Sequence, residues 1–219
     1  FDGAGADVLM IGFSRLGQIA SQVLLAGGRD VTIIDVSADR VRAAARFGFR
    51  IYFGDGSRKD VLEAAGIRRA RIVAVCTARR ETTDRIVALI QSEYPDTRIF
   101  VRSYDRAHSL ELRARGVDFE LRETVESGLV FGRETLAALG MDPEQADLIM
   151  TDTRRRDEER LVIQAAEGIM AGGDMLLTRP TPEPLVPPRR ESRRLDRDVE
   201  NEDAALEHVL FNLGHIRRR

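Results

Sequence analysis

Residues 9–18 read LMIGFSRLGQ, an apolar run that ends in Gly12 and Gly17, five positions apart. Such a run, followed by a glycine turn and an amphipathic stretch, is the strand–turn–helix that opens a dinucleotide-binding sheet. Gly12 supplies the tight turn and Gly17 permits close packing of helix on strand, whereas Ser14 stands at the middle glycine of the fingerprint. That serine narrows the space in which a pyrophosphate passes the backbone and adds a hydroxyl. The N–H groups of the following helix, with the positive end of its dipole, form an anion site.

The same alternation continues outward from this turn. VLMIGF (8–13), VTIID (31–35), RIYFGD (50–55), RIVAVCT (71–77), RIFVRS (98–103) and FEL (119–121) are apolar runs with little polar alternation, as expected of strands covered on both faces. Helical patterns occupy 18–25, 39–47, 59–65, 81–93 and 106–115, most with a glycine just past the end as a left-handed cap. Six strands alternating with helices predict an α/β fold: a doubly wound, Rossmann-like parallel sheet over residues 7–122.

After residue 122 the pattern changes. Val125, Leu129, Gly132, Leu136 and Leu139 share one helical stripe closed by Gly140, and a second helix is expected from Asp142-Pro143 to about Ala166. An apolar stripe beyond a finished sheet seeks a partner, so residues 123–170 read as a helical crossover and dimerisation segment. Gly128 and Gly132 would let another helix approach closely; a simple cap on the chain's own sheet is the alternative. Residues 171–219 read as a Pro-rich linker and a flexible charged tail, since five of the seven prolines fall between Pro180 and Pro188. A short amphipathic stretch over 203–219 would be marginal as a helix without docking.

Composition narrows the function. The 219 residues carry a formal net charge of −2, which gives no sign of a nucleic-acid binder. Cys76 is the single cysteine, which excludes an internal disulfide framework and suits a reducing compartment. No apolar stretch approaches the roughly 20 residues of a membrane span. The opening FDGAGAD is unlike a natural start, so a fragment of a larger chain is expected.

The candidate site is a crevice at the carboxyl ends of the strands, where ligands sit in such sheets. Phe13, Ser14, Arg15 and Gln18 surround the turn. Asp35 ends the second strand 23 residues after Gly12, where a carboxylate would accept both hydroxyls of a ribose; this argues against a 2′-phosphate and hence against NADP. Asp55 and Gly56, in GDGS (54–57), end the third strand, and Cys76 and Thr77 end the fourth. Asp55 would contact adenine or ribose, or cap the next helix; Thr77 would bond a phosphate or the local backbone. Cys76 is read as a buried small side chain without chemistry. No residue is assigned a catalytic role, and His108, His208 and His215 have no spacing that suggests a metal or a catalytic pair. The chain is therefore not expected to be an enzyme. A small NAD-dependent oxidoreductase or epimerase is one rival reading, and a protein-interaction module with an empty crevice is the other.

Four segments, GFSRLGQ (12–18), FGFRIYFGDGSRKDVLEAAGI (47–67), VRSYDRAHSLELRARGVD (101–118) and RETVESGLVFGRETLAALG (122–140), carry a resemblance. Together they resemble the cytoplasmic regulatory domain, called RCK or KTN, of potassium channels and antiporters, most of all the glutathione-gated Kef efflux systems. The resemblance covers roughly residues 7–167. It implies a homodimer beneath a membrane potassium/proton antiporter encoded upstream of this fragment, on the cytoplasmic face of a bacterial inner membrane, with an ancillary subunit as a further partner. It implies an adenine nucleotide at the turn, AMP or NAD(H) first and ATP or ADP next, sensed without turnover. Ser14 departs from the family's usual glycine while Arg15 is retained, and this tilts the expectation toward a mononucleotide. Arg102 matches the first of two family arginines on the fifth strand, and Tyr104 replaces the second. Arg113 aligns with an arginine, and Asp157 with the asparagine, of the glutathione-gated members. A carboxylate at that place would repel an anionic tripeptide.

Overall fold

Each apolar run contributes a strand, and the amphipathic stretches between them are helices, in a computed structural model that describes residues 6–176. The elements are β1 (Val8–Ile11), α1 (Arg15–Ala26), β2 (Val31–Asp35), α2 (Ala38–Arg46), β3 (Ile51–Phe53), α3 (Lys59–Ala64), β4 (Ile72–Val75), α4 (Arg80–Glu93), β5 (Arg98–Ser103), α5 (Arg106–Ala114), β6 (Phe119–Arg122), α6 (Glu123–Ala138) and α7 (Pro143–Glu167), with short 3-10 turns at Ile67–Arg69 and Gly173–Leu176. All six strands run parallel in the order β3-β2-β1-β4-β5-β6. Strand order reverses between β1 and β4, and the crevice for a ligand opens at that switch point. Three of the apolar runs reach past the strands they feed. Gly12-Phe13, Gly54-Asp55 and Cys76-Thr77 leave the ladder and turn over the sheet's carboxyl edge.

The unbroken apolar character of the strands follows from burial on two sides. Leu9 and Ile11 pack with Ile34, Val73 and Val75 on one face, under Leu62 of α3 and Ile86 and Ile90 of α4. Val8 and Met10 point the other way, with Val31, Ile33 and Ile51, under Leu16, Ala20 and Leu24 of α1. On that second face the β4–β6 half is covered less completely: Ile72, Ala74, Phe100 and Leu121 are half-buried and Phe119 is exposed.

Helix α7 begins where the sequence placed it. Asp142 accepts hydrogen bonds from the backbone N–H groups of Glu144 (3.0 Å) and Gln145 (3.2 Å), and Pro143 opens the first turn. Helix α6 packs along α7, and this divides the predicted stripe. Val125, Leu129 and Leu136 are half-buried within their own chain, whereas Gly132 and Leu139 are exposed together with Val130 and Phe131. The first three lie on the half-buried side of a helix that packs against the one following it, and the outward apolar face carries Phe131. Of the linker and tail expected over 171–219, the start holds the 3-10 turn at Gly173–Leu176, and residues 177–219, with the terminal amphipathic stretch, lie outside the described residues.

Two glycines fix how tightly the site is built. A Cβ on Gly17 would stand 2.6 Å from the Gly12 carbonyl oxygen, and one on Gly56 would stand 2.3 Å from Ile11 Cγ2. Both contacts are inside the steric limit of a close-packed interior. Gly17→Ala and Gly56→Ala are each expected to lower the free energy of unfolding by about 1–3 kcal/mol, the usual cost of overpacking. Urea titration followed by circular dichroism checks this, and unchanged midpoints would show that these turns are looser than described.

Candidate functional site

The carboxyl ends of β1, β2 and β4 enclose a crevice of about 510 Å³. Its floor depends on Gly12, at φ +94°, a left-handed conformation that suits glycine. A Cβ there would meet the Cys76 carbonyl carbon and the Thr77 nitrogen at 3.0 Å, so only a bare Cα lets the β1 turn lie against the end of β4. Ser14 follows as the N-cap of α1, its Oγ accepting the Gly17 N–H at 3.3 Å. The serine that departs from the fingerprint is therefore a helix cap. One of its lone pairs accepts from the first turn, and the hydroxyl keeps its donor capacity.

The structure brings most of the predicted residues together. Gly12, Phe13, Ser14, Arg15, Gln18, Asp35, Asp55, Gly56 and Thr77 line the crevice. Gly17 is buried under the turn. Arg102 is outside the lining, behind Thr77: its Nη1 donates to the Thr77 carbonyl at 3.1 Å and its Nε to Glu123 at 2.6 Å. It thus ties the rim to the first residue of α6.

Asp35 is the most constrained of the group, with a side chain 2% exposed. The Phe13 N–H donates to Oδ2 and the Ser37 N–H to Oδ1, both at 2.7 Å. Arg40, in the first turn of α2, completes the set: Nη2 reaches Oδ1 at 2.8 Å, and Nε lies 3.1 Å from both oxygens. The carboxylate expected to wait for a ribose is thus already holding two turns and a guanidinium. Thr77 is similarly engaged. Thr83 Oγ1 donates to the Arg79 carbonyl at 3.2 Å, so in the 2.6 Å contact between the two threonine hydroxyls Thr77 is the donor. Asp55 is exposed and accepts the Ser57 N–H (2.9 Å) and hydroxyl (2.7 Å) through Oδ1. These two bonds hold its carboxyl below the ordinary range.

The second predicted group, Arg113 and Asp157, lies where α7 meets α5 and β6. Arg113 donates to Glu120 at 2.8 Å and pairs with Glu158 at 2.5 Å. Asp157 accepts from Arg106 at 2.5 Å and from Arg122. Burial raises the Asp157 carboxyl, but the hydrogen bonds from Arg122 and Arg106 outweigh it, and the net shift is downward. The Asp157 carboxylate thus stands between two guanidinium groups rather than alone.

Sequence reasoning missed Arg40, Val36, Ala78, Arg79, Thr82 and Ile86, all of which line the crevice. Only Arg40 left a signal, as a cation five positions after Asp35 in the first turn of the next helix. Among the described residues no group of acidic, histidine or cysteine side chains is arranged to hold a metal, and no helix is long and apolar enough to cross a membrane.

Residues 8–121 match the model of the TrkA-N domain. Over 194 residues, 89% of this chain, the sequence is 38% identical to a glutathione-regulated potassium-efflux system protein of Haemophilus influenzae, of which it spans only 31%. Among solved structures, the Kef C-terminal domain of Shewanella denitrificans in its AMP-bound form aligns with a TM-score of 0.67 and 30% identity, covering 73% of this chain and 97% of that one. The TrkA-N domain of the inner membrane protein ybaL from Escherichia coli aligns with a TM-score of 0.53 and 20% identity, covering 64% of this chain and 100% of that one, a likeness of fold alone.

Cys76 supplies a check on the crevice wall. It is 6% exposed, and burial pushes its thiol up to about 12. A raised pKa favours the neutral form at every pH below it, so the thiolate is scarce at pH 8. Maleimide labelling of the native protein at pH 8 is expected to run more than about 100-fold slower than labelling in urea. Mass spectrometry of timed samples measures both rates, and comparable rates would mean that the wall opens.

Proposed function

Because the chain belongs to the TrkA-N domain family, we propose that its crevice binds an adenine nucleotide and that occupancy regulates an attached potassium/proton antiporter. The reading is one of sensing without turnover. The observation that carries it is the crevice itself, a glycine turn and helix N-terminus beside an acidic strand end, in a fold shared with a Kef C-terminal domain solved with AMP. The anion end of the ligand would lie at the start of α1 beside the exposed Arg15, and the ribose toward Asp35. Ser14 at the cap favours a mononucleotide, so AMP is the first candidate and NAD(H), ADP and ATP follow. Regulation then works by population shift: a ligand that binds one arrangement of the domains better biases the transporter by that difference. The transporter would place this domain at the cytoplasmic face of the membrane.

Glutathione is expected to be the weaker ligand. Arg113 is already engaged by Glu120 and Glu158, and Asp157 adds a carboxylate to the same cluster. AMP at about 100 times its dissociation constant should stabilise the domain by about 2.7 kcal/mol. Calorimetry and thermal melts are expected to show one AMP per subunit and a smaller shift with glutathione at equal concentration. Failure of AMP, ADP, ATP and NAD(H) all to bind would overturn the nucleotide reading and favour an interaction module.

Two copies are proposed to pair through the outward face of α6. Val130 is 53%, Phe131 75% and Leu139 80% exposed, and a Cβ on Gly128 or Gly132 would meet nothing within 4 Å. The less covered β4–β6 face, with Phe100 and Phe119, offers a second copy apolar surface to cover. Burying one such side chain contributes about 1.5–3 kcal/mol, and two-fold symmetry counts each twice. Phe131→Asp is expected to give monomers with an intact fold, whereas Leu129→Asp, on the half-buried side, should cost stability as well. Light scattering read with circular dichroism distinguishes them; a dimeric Phe131→Asp protein would move the interface elsewhere.

A further inference from the structure

We propose that Arg40 is a displaceable occupant of the ribose subsite, so that this chain recognises a ribose diol only by exchange against its own guanidinium. The inference rests on the nucleotide reading above. A carboxylate offers about four acceptor positions in its plane. At Asp35 two are taken by the N–H groups of Phe13 and Ser37, and the remaining positions by Nε and Nη2 of Arg40. The two backbone donors belong to the turns that build the crevice and cannot leave without dismantling it. Arg40 can leave. Its side chain is 49% exposed against 2% for its partner, and among the described residues its guanidinium bonds only to Asp35.

Room for the displaced group is present. Arg40 lines the crevice on one side and, on the other, an adjoining cavity of about 450 Å³ walled by Gln22, Phe47 and Phe49. Swinging the guanidinium into that space frees the outer edge of Asp35 for two hydroxyls without moving the backbone. The exchange trades one charge-assisted pair for another, so the net preference for a diol is small although the bonds to it are strong. Arg40 thereby sets selectivity: it lowers the advantage of a ribonucleotide over its deoxy analogue.

The test compares AMP with 2′,3′-dideoxy-AMP by calorimetry on the whole chain and on Arg40→Met, which keeps the stem and removes the donors. The wild type is expected to prefer AMP by about threefold or less, and Arg40→Met by about 30-fold or more, because the hydroxyls then meet a carboxylate edge without a competitor. If Arg40→Met does not fold, Arg40→Lys, a point charge without the fork, should still raise the preference several-fold above wild type. Equal preferences in the wild type and the variant, with AMP bound by both, overturn the inference and leave the nucleotide reading intact. Absence of AMP binding to both overturns that reading and the inference with it.

Discussion

The crevice depends on one buried carboxylate. Asp35 draws the β1–α1 turn and the β2–α2 turn together through the N–H groups of Phe13 and Ser37, and Arg40 balances its charge. A carboxylate this far from water is stable only where donors replace its hydration. Two N–H groups at 2.7 Å and a guanidinium meet that condition. Everything around the site is then fixed in sequence: Gly12 can lie on Cys76 and Thr77 because its turn is held down, and α1 starts where Ser14 caps it. A group with this much structural duty is not a simple ligand hook. Its role toward a ribose and its role in folding are carried by the same two oxygens.

Much of this was legible beforehand for a clear reason. Burial on both faces makes the central strands apolar throughout, and several helices close on a left-handed glycine, as at Gly116 (φ +75°) and Gly140 (φ +93°). Both demands fall on single residues, so they appear in the sequence. The position of Asp35 was also readable, because a strand end beside a glycine turn is a local feature. Its partners were less so. Thr77 as donor to Thr83, and Arg102 bridging Thr77 and Glu123, depend on where separate elements meet. The stripe on α6 makes the same point: periodicity groups Val125, Leu129 and Leu136, but it cannot say that α7 returns to pack against the helix that carries them.

The helical segment is joined to the sheet domain in a different manner from the core. Leu161 is a buried apolar anchor on α7, but around it the contacts are ionic: Arg106 and Arg122 to Asp157, and Arg113 to Glu158. Arg106 also reaches Gln164, whose amide donates to the Ala171 carbonyl at 3.1 Å. Pairs at partial exposure are screened by salt and are individually weak, whereas apolar burial is neither directional nor strongly salt-dependent. The core of the sheet and the attachment of α7 therefore answer to different variables, hydrophobic area for one and ionic strength and acidity for the other.

Arg102 gives the crevice a mechanical neighbour. Its guanidinium is a flat, stiff plate, held at one edge by the Thr77 carbonyl and at another by Glu123, the residue from which α6 departs. Separating the rim at Thr77 from the root of α6 beyond the slack of the arginine stem breaks one of the two bonds. The spacing between them is therefore latched, and the latch is half-buried where water competes poorly for it.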